Sequence, residues 1–267
     1  MSRFLGYSAQ AYYKSVKVEM REVVGKEQIL QLISHKRNKM PRIGGRKLYR
    51  LLYQDLQQLD HPVGRDKFFD ILRQNNLLVK RKKRYEKTTN SYHRFNKHNN
   101  KISKTILTGP NQAFVSDITY IRTGLKFAYL FLITDAYSRK IVGWYLSHSM
   151  GIEGAIKALK MATRQSKGKC GIIHHSDRGI QYCCNEYVRR MKKYKMEISM
   201  TEQNHCYENA IAERVNGILK DEFLLGETWN NFEHARQAVA EAVDTYNNLR
   251  PHMSLKFCTP NEKHQAA

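Results

Sequence analysis

Acidic side chains are in short supply in this sequence, with 24 Asp and Glu against 46 Lys and Arg and a formal charge of +22. Such an imbalance points to a polyanionic partner. A run of 18 apolar residues is also missing, as is an apolar leader, so no membrane span is expected. Cysteine is sparse and unpatterned. Cys170, Cys183, Cys184, Cys206 and Cys258 are odd in number and contain no C-x-x-C spacing, which argues against a disulfide framework and for a reducing cytosol. His174-His175 lies near Cys183-Cys184, but adjacent residues seldom turn both side chains to one zinc ion.

The charge is unevenly spread. Residues 1–110 hold 25 Lys and Arg against 8 acids, a net of +17, and the remaining 157 residues carry only +5. Anion binding is therefore expected in the N-terminal part. After a short lead-in over residues 1–19, a helical pattern runs to Lys80. Ile29, Leu30 and Ile33 mark a first helix, Leu48, Leu51, Leu52, Leu56 and Leu59 a second, and Phe68, Phe69, Ile71 and Leu72 a third. Breaks fall at Met40-Pro41 with Gly44-Gly45, and at Asp60-His61-Pro62. Arg65, Lys67 and Arg73 on the third helix suggest a helix-turn-helix-like DNA-binding domain over 1–79; a three-helix bundle with a solvated basic face fits the same pattern. Residues 80–110 hold ten Lys or Arg and one acid with little periodicity, and read as a basic linker, largely disordered without DNA.

Three acids stand out in residues 111–267. Asp117 lies in the strand-like run Phe114-Val115-Ser116-Asp117-Ile118-Thr119-Tyr120-Ile121, with Val115 and Ile121 on its own face by alternation. Asp177 closes a second short strand, Ile172-Ile173-His174-His175-Ser176, just before the turn Arg178-Gly179. Thirty-five residues lie between Asp177 and Glu213. Around Glu213 the spacing predicts a helix with Ile211, Val215, Ile218 and Leu219 on one face, and Asn209, Glu213, Asn216 and Lys220 roughly opposite. Glu208 and Glu222 fall toward the apolar side. A solvated polar face would account for Glu213 alone, and a strand-end cap or ion pair for either Asp alone. A carboxylate beside a core face is costly unless paired or metal-bound, and two of them with a phased Glu favour a shared site. Asp135, a fourth acid, sits in a turn and reads as structural.

The motifs Ser116-Asp117-Ile118-Thr119-Tyr120-Ile121, Ser176-Asp177-Arg178-Gly179-Ile180-Gln181-Tyr182, and Asn209-Ala210 through Glu213 to Lys220 resemble those of insertion-sequence transposases of the integrase-like DDE superfamily. The resemblance is to the second-reading-frame product of two-frame elements, and Tyr246-Asn247-Asn248-Leu249-Arg250-Pro251-His252 with Thr259-Pro260 extends it to the C-terminal part. At Asn204-His205 the chain departs from the family, which often carries Gly before the Glu helix. The resemblance implies a ribonuclease H-like core: a mixed five-stranded sheet flanked by helices, preceded by the all-α domain. It implies Asp117, Asp177 and Glu213 as catalytic ligands of two Mg²⁺ ions, with Mn²⁺ as a substitute. On this reading Asp117 bridges the ions, Asp177 and Glu213 hold one each, and Lys220 contacts a DNA phosphate. The implied partners are double-stranded DNA at element ends and target, further copies of the chain on that DNA, and an upstream-frame product, with no membrane. Two other classes stay open: a metal-dependent nuclease that never joins strands, and a decayed transposase that only binds DNA.

Overall fold

The computed structural model describes residues 8–80, 98–202 and 209–266, and divides the chain into two compact units, Met1–Lys80 and Arg81–Ala267. The first unit is helical. α1 (Ala9–Lys39), α2 (Gly45–Gln57) and α3 (Arg65–Gln74) enclose a core that includes Ile33, Leu48, Leu52, Leu56, Phe68 and Leu72, all of them buried. α1 begins well before the helix expected from Ile29. Ser8 caps it by accepting from Ala11 N at 3.2 Å, but its exposed first turns carry Tyr12, Tyr13 and Lys14 and lack the apolar stripe that would reveal a helix by period.

The second unit is built on a mixed sheet. β1 (Ala113–Thr123), β2 (Lys126–Asp135) and β3 (Ile141–Ser147) form an antiparallel meander, and β4 (Ile173–Ser176) and β5 (Glu197–Met200) add parallel strands in the order β3-β2-β1-β4-β5. This is the ribonuclease H-like order. The expected five strands are joined by a sixth, β6 (Thr228–Trp229), which pairs in parallel with Arg122 and Thr123 of β1. Two residues are too short a run for alternation to register.

Alternation along β1 separates two cores. Phe114 packs with Phe131, Ile133 and Val142 and with Ala155, Ala158 and Leu159 of α4 (Ile152–Gln165), together with Tyr187 of α6 (Asn185–Lys193). Between β4 and α6 lies the short α5 (Ile180–Cys183). On the other face Ala113 and Val115 meet Ala136 and Ala212, the latter from α7 (Ala210–Glu222). α8 (Phe232–Asn248) and α9 (Pro260–Gln265) complete the unit.

Residues 98–110, expected within a disordered linker, are instead tied to β5: Lys101 N donates to Ser199 Oγ at 2.9 Å and Asn100 N to Glu202 Oε1 at 3.1 Å. These are long-range contacts that local composition does not encode. The rest of the expected linker, residues 81–97, lies outside the described residues. Among the described residues no helix is long and apolar enough to cross a membrane.

Candidate active site

Strand pairing brings two carboxylates to one place. β1 and β4 run parallel in register from Ala113↔Ile173 to Ser116↔Ser176. The next position on each is an aspartate, Asp117 on β1 and Asp177 just past the end of β4, so neighbouring strands present them together. Each is half-buried and holds one oxygen locally. Asp117 Oδ1 accepts from Ile118 N at 2.8 Å, and Asp177 Oδ1 from Gly179 N at 3.1 Å. Gly179 leaves little room for a side chain, since an added Cβ would stand 3.0 Å from Asp177 Oδ1 and 3.2 Å from Gln181 Oε1.

Beneath this pair the β4 histidines are buried and structural. His174 Nε2 lies 2.8 Å from Ser116 Oγ and 2.9 Å from the Tyr187 hydroxyl, and His175 Nδ1 lies 2.9 Å from Ser199 Oγ. Burial lowers the His174 pKa to about 3, with His175 adding to the effect, so the ring is a neutral strut. Among the described residues Cys170, Cys183, Cys184 and Cys258 are free thiols.

α7 closes the site through two amides. Asn209 Nδ2, at its N-cap, donates to Ser116 O at 3.1 Å, and Asn216 Nδ2 donates to Asp117 Oδ2 at 2.7 Å. Both asparagines are buried, and their Oδ1 atoms have no hydrogen-bond partner among the described residues. Helical phase had put both on the face of Glu213, without a role. That shared phase was the signal that could have marked them as part of the site. Glu213 is exposed, one turn before Asn216. Lys220, farther along α7, is half-buried.

The electrostatics explain what is unusual here. Burial pushes the Asp117 carboxyl up to about 7; the negative charge of Asp177 adds to this, and that of Glu213 adds less. The Asn216 amide and the Ile118 N–H pull the other way without restoring an ordinary value. A desolvated acid facing like charges is a group short of a cation. The donors are hard oxygens, which suit Mg²⁺ or Mn²⁺ over softer metals. Among the described residues no three His, Cys, Asp or Glu side chains stand close enough to enclose an ion, so Glu213 reaches Asp117 through its field while the two aspartates are neighbours. Residues 203–208, which include Glu208 and the Asn204-His205 departure, lie outside the described residues.

The other sequence candidates lie elsewhere. Arg65, Lys67 and Arg73 are exposed on α3, where Arg65 pairs with Asp66 at 3.0 Å and Arg73 pairs with Asp70. Asp135 is buried; it accepts from Asn111 N and from the Ser138 hydroxyl and lies 3.7 Å from His264 Nδ1 of α9.

Comparison with known proteins follows the same lines. Two models described as Integrase core domain match residues 108–206 and 194–260. The chain is 33% identical to an insertion element IS600 uncharacterized 31 kDa protein of Shigella sonnei, over 97% of this chain and 96% of that one. It is 35% identical to the transposase InsF for insertion sequence IS3fB of Escherichia coli K12, over 58% of this chain and 54% of that one, so it spans about half the length of that relative. Among solved structures, an intasome of simian T-cell lymphotropic virus in complex with PP2A regulatory subunit B56 gamma matches with a TM-score of 0.53. That match has 17% identity and covers 85% of this chain and 72% of that one; it bears on the fold alone.

Proposed function

The chain belongs to the integrase-core family of insertion-element transposases, a polynucleotidyl transferase class, and from that premise we propose that Asp117, Asp177 and Glu213 cut a DNA phosphodiester at an element end. Water attacks the phosphorus in that first step, its oxygen forming a new P–O bond as the bond to the 3′ oxygen breaks and its proton passing to solvent. The 3′-OH so freed then attacks a second phosphodiester, joining element to target with one P–O bond formed for each broken. The observation that carries this reading is the β1–β4 register, which presents Asp117 and Asp177 side by side under the two amides of α7.

Asp117, Asp177 and Glu213 would hold the divalent ions. When bound, such ions neutralise charge on the phosphate and activate the attacking oxygen. The chain's own work is positioning. Asn216 fixes one oxygen of Asp117, Gly179 leaves space for the Asp177 carboxylate, and Lys220 offers a cation to a phosphate beside the scissile bond. In the N-terminal unit Arg65, Lys67 and Arg73 are exposed, and surface ion pairs of the kind seen at Arg65 and Arg73 are worth only about 0–1 kcal/mol, so both cations can exchange an Asp for a DNA phosphate. Double-stranded DNA and further copies of the chain on that DNA are the partners this reading requires.

The test is a strand-cleavage and joining assay on DNA carrying the ends of the element that encodes the chain. Glu213→Gln keeps size and helix propensity while removing a charge. It should lower both steps by roughly 10³-fold, as loss of a metal ligand would, with DNA affinity little changed. EDTA should stop the reaction, Mg²⁺ or Mn²⁺ should restore it, and Ca²⁺ should allow binding with little cleavage. Activity that persists in EDTA sinks the reading. Gly179→Ala probes the geometry alone. Its Cβ forces Asp177 aside by a few tenths of an ångström, and misplacement on that scale should cost roughly tenfold in rate while the thermal melt stays within a degree or two of the parent. A melt that falls in step with the rate would assign Gly179 to folding instead.

A further inference from the structure

One surface of the second unit joins exposed aromatic rings to cations. On the α4 face of the sheet the β1–β2 register pairs Tyr120 with Tyr129 and Arg122 with Phe127. The ring of Tyr120 lies 5.3 Å from that of Tyr129 and 6.0 Å from that of Phe127, centroid to centroid. Phe127 is 49% exposed and the two tyrosines are half-buried, so the trio presents ring surface to solvent where the same face, two residues along β2, buries Phe131 completely. Cations flank it. The Arg122 guanidinium is 5.9 Å from the Phe127 ring, and one strand over Lys157 Nζ is 4.3 Å from the Tyr145 ring. Neither cation has a carboxylate partner among the described residues.

This surface lies across β1 from the face that carries Asp117, and two contacts connect it to the turn after Asp177. The Tyr120 hydroxyl donates to Met150 Sδ at 3.6 Å, and the Met150 carbonyl accepts from Gln181 Nε2 at 2.9 Å. Gln181 belongs to the same turn as Gly179, against which Asp177 is packed. Lys157 Nζ also donates to the Tyr145 hydroxyl at 2.8 Å. A flat apolar ligand on a polyanionic chain fits rings flanked by cations without a carboxylate partner, which is the composition of single-strand nucleic-acid platforms. Paired duplex offers no base faces to such rings, and a second copy of a +22 chain would meet repulsion there.

We propose that Tyr120, Phe127 and Tyr129, with Arg122 at the edge of Phe127 and Lys157 one strand over at Tyr145, stack unpaired bases of the DNA strand that enters the carboxylate site. The proposal rests on the DNA-cutting function above and adds that the substrate is engaged with bases splayed from the duplex.

The full chain is titrated against a fluorescein-labelled oligothymidylate and against a duplex of the same length, by anisotropy at several salt concentrations. Loss of one stacking ring costs roughly tenfold or more in single-strand affinity. Phe127→Ala should therefore weaken oligothymidylate binding by about that factor and leave duplex binding within about twofold, while Phe127→Trp should preserve both. Phe127→Leu, which keeps an apolar side chain and lacks the ring, should behave as Phe127→Ala and guards against a folding defect. Equal losses on the two DNAs, or none on either, overturn the proposal. So does a Phe127→Ala chain that changes its sedimentation but not its single-strand affinity, since the surface would then be a contact between copies. The binding readout does not use the carboxylates. A chain that stacks oligothymidylate but cuts nothing keeps this inference and loses the catalytic one; a chain that cuts, with single-strand affinity indifferent to Phe127, does the reverse.

Discussion

Asp117→Asn is expected to remove strand cleavage and joining by roughly 10³-fold or more, and at the same time to make the metal-free chain more stable. The first effect follows from the several kcal/mol that a metal-binding carboxylate contributes at a phosphoryl centre. The second follows from the carboxyl's position in the fold. Its pKa rises from 3.8 to about 7 through burial, then through the charge of Asp177. A folded-state value above the unfolded one means the fold prefers the protonated acid, so the group's stabilisation is full below about pH 4 and is lost as pH rises through about 7. Each pKa unit corresponds to about 1.4 kcal/mol, which makes the cost of an ionised Asp117 at pH 8 on the order of a few kcal/mol. Asn at this position carries no charge. Its Oδ1 can still accept from Ile118 N, and its Nδ2 can donate to Asn216 Oδ1, which lacks a partner among the described residues, once the Asn216 amide turns over. The variant should therefore melt above the parent at pH 8 and close to it at pH 4.5. Mg²⁺ should raise the parent's melting temperature by binding the folded state and leave the variant nearly unmoved. A variant that melts at or below the parent at pH 8 without metal, or that still joins strands, would remove Asp117 from the centre of the site.

The fold was legible from local pattern to a large extent. Alternation marked β1, and helical period marked α2, α3 and α7, because each of these buries one face and the sequence must encode that face. What could not be read was pairing. That Asp117 and Asp177 are neighbours depends on β4 lying beside β1, a contact between segments about sixty residues apart that no local period specifies. The same limit hid the docking of residues 98–110 on β5. Asn216 was legible in phase but not in role, since an amide on a polar helix face looks the same in sequence whether it faces water or a carboxylate. The Tyr246–His252 motif is now partly explained by structure: Asn247 satisfies both the N–H and the carbonyl of Ile141 at the start of β3, and the Tyr246 hydroxyl donates to Arg139 O at 3.1 Å. Thr259-Pro260 is a helix start, in which Thr259 and Glu262 cap one another with Pro260 in the first turn.

Arg250, from that same motif, carries the second large expected effect: Arg250→Ala should lower stability by about 3–5 kcal/mol. Helical phase turned Glu222 toward the apolar side of α7, an unfavourable place for a carboxylate without a partner. Arg250 supplies one, with Nε and Nη2 donating to Glu222 Oε2 and Oε1 at 2.8 and 3.0 Å in a bidentate pair. The two side chains are only 3% and 14% exposed, and the guanidinium also lies 5.6 Å from the Tyr246 ring. Truncating Arg250 takes the forked donor away from a largely buried carboxylate at the C-terminal end of the helix that carries Glu213 and Asn216. Removing both charges is a different perturbation, because two apolar side chains of similar size need no partner. Arg250→Leu with Glu222→Leu should therefore recover most of what Arg250→Ala loses, and Arg250→Lys should not, since a single ammonium cannot reproduce the forked contact. In thermal melts the single change should appear as a fall on the order of 10 °C for a unit of this size. Strand cleavage by Arg250→Ala, assayed well below its melt, should fall as the anchor of α7 loosens and return in the double variant. If Arg250→Ala melted with the parent, or the double variant melted below the single one, the pair would not be what holds α7 over the two aspartates.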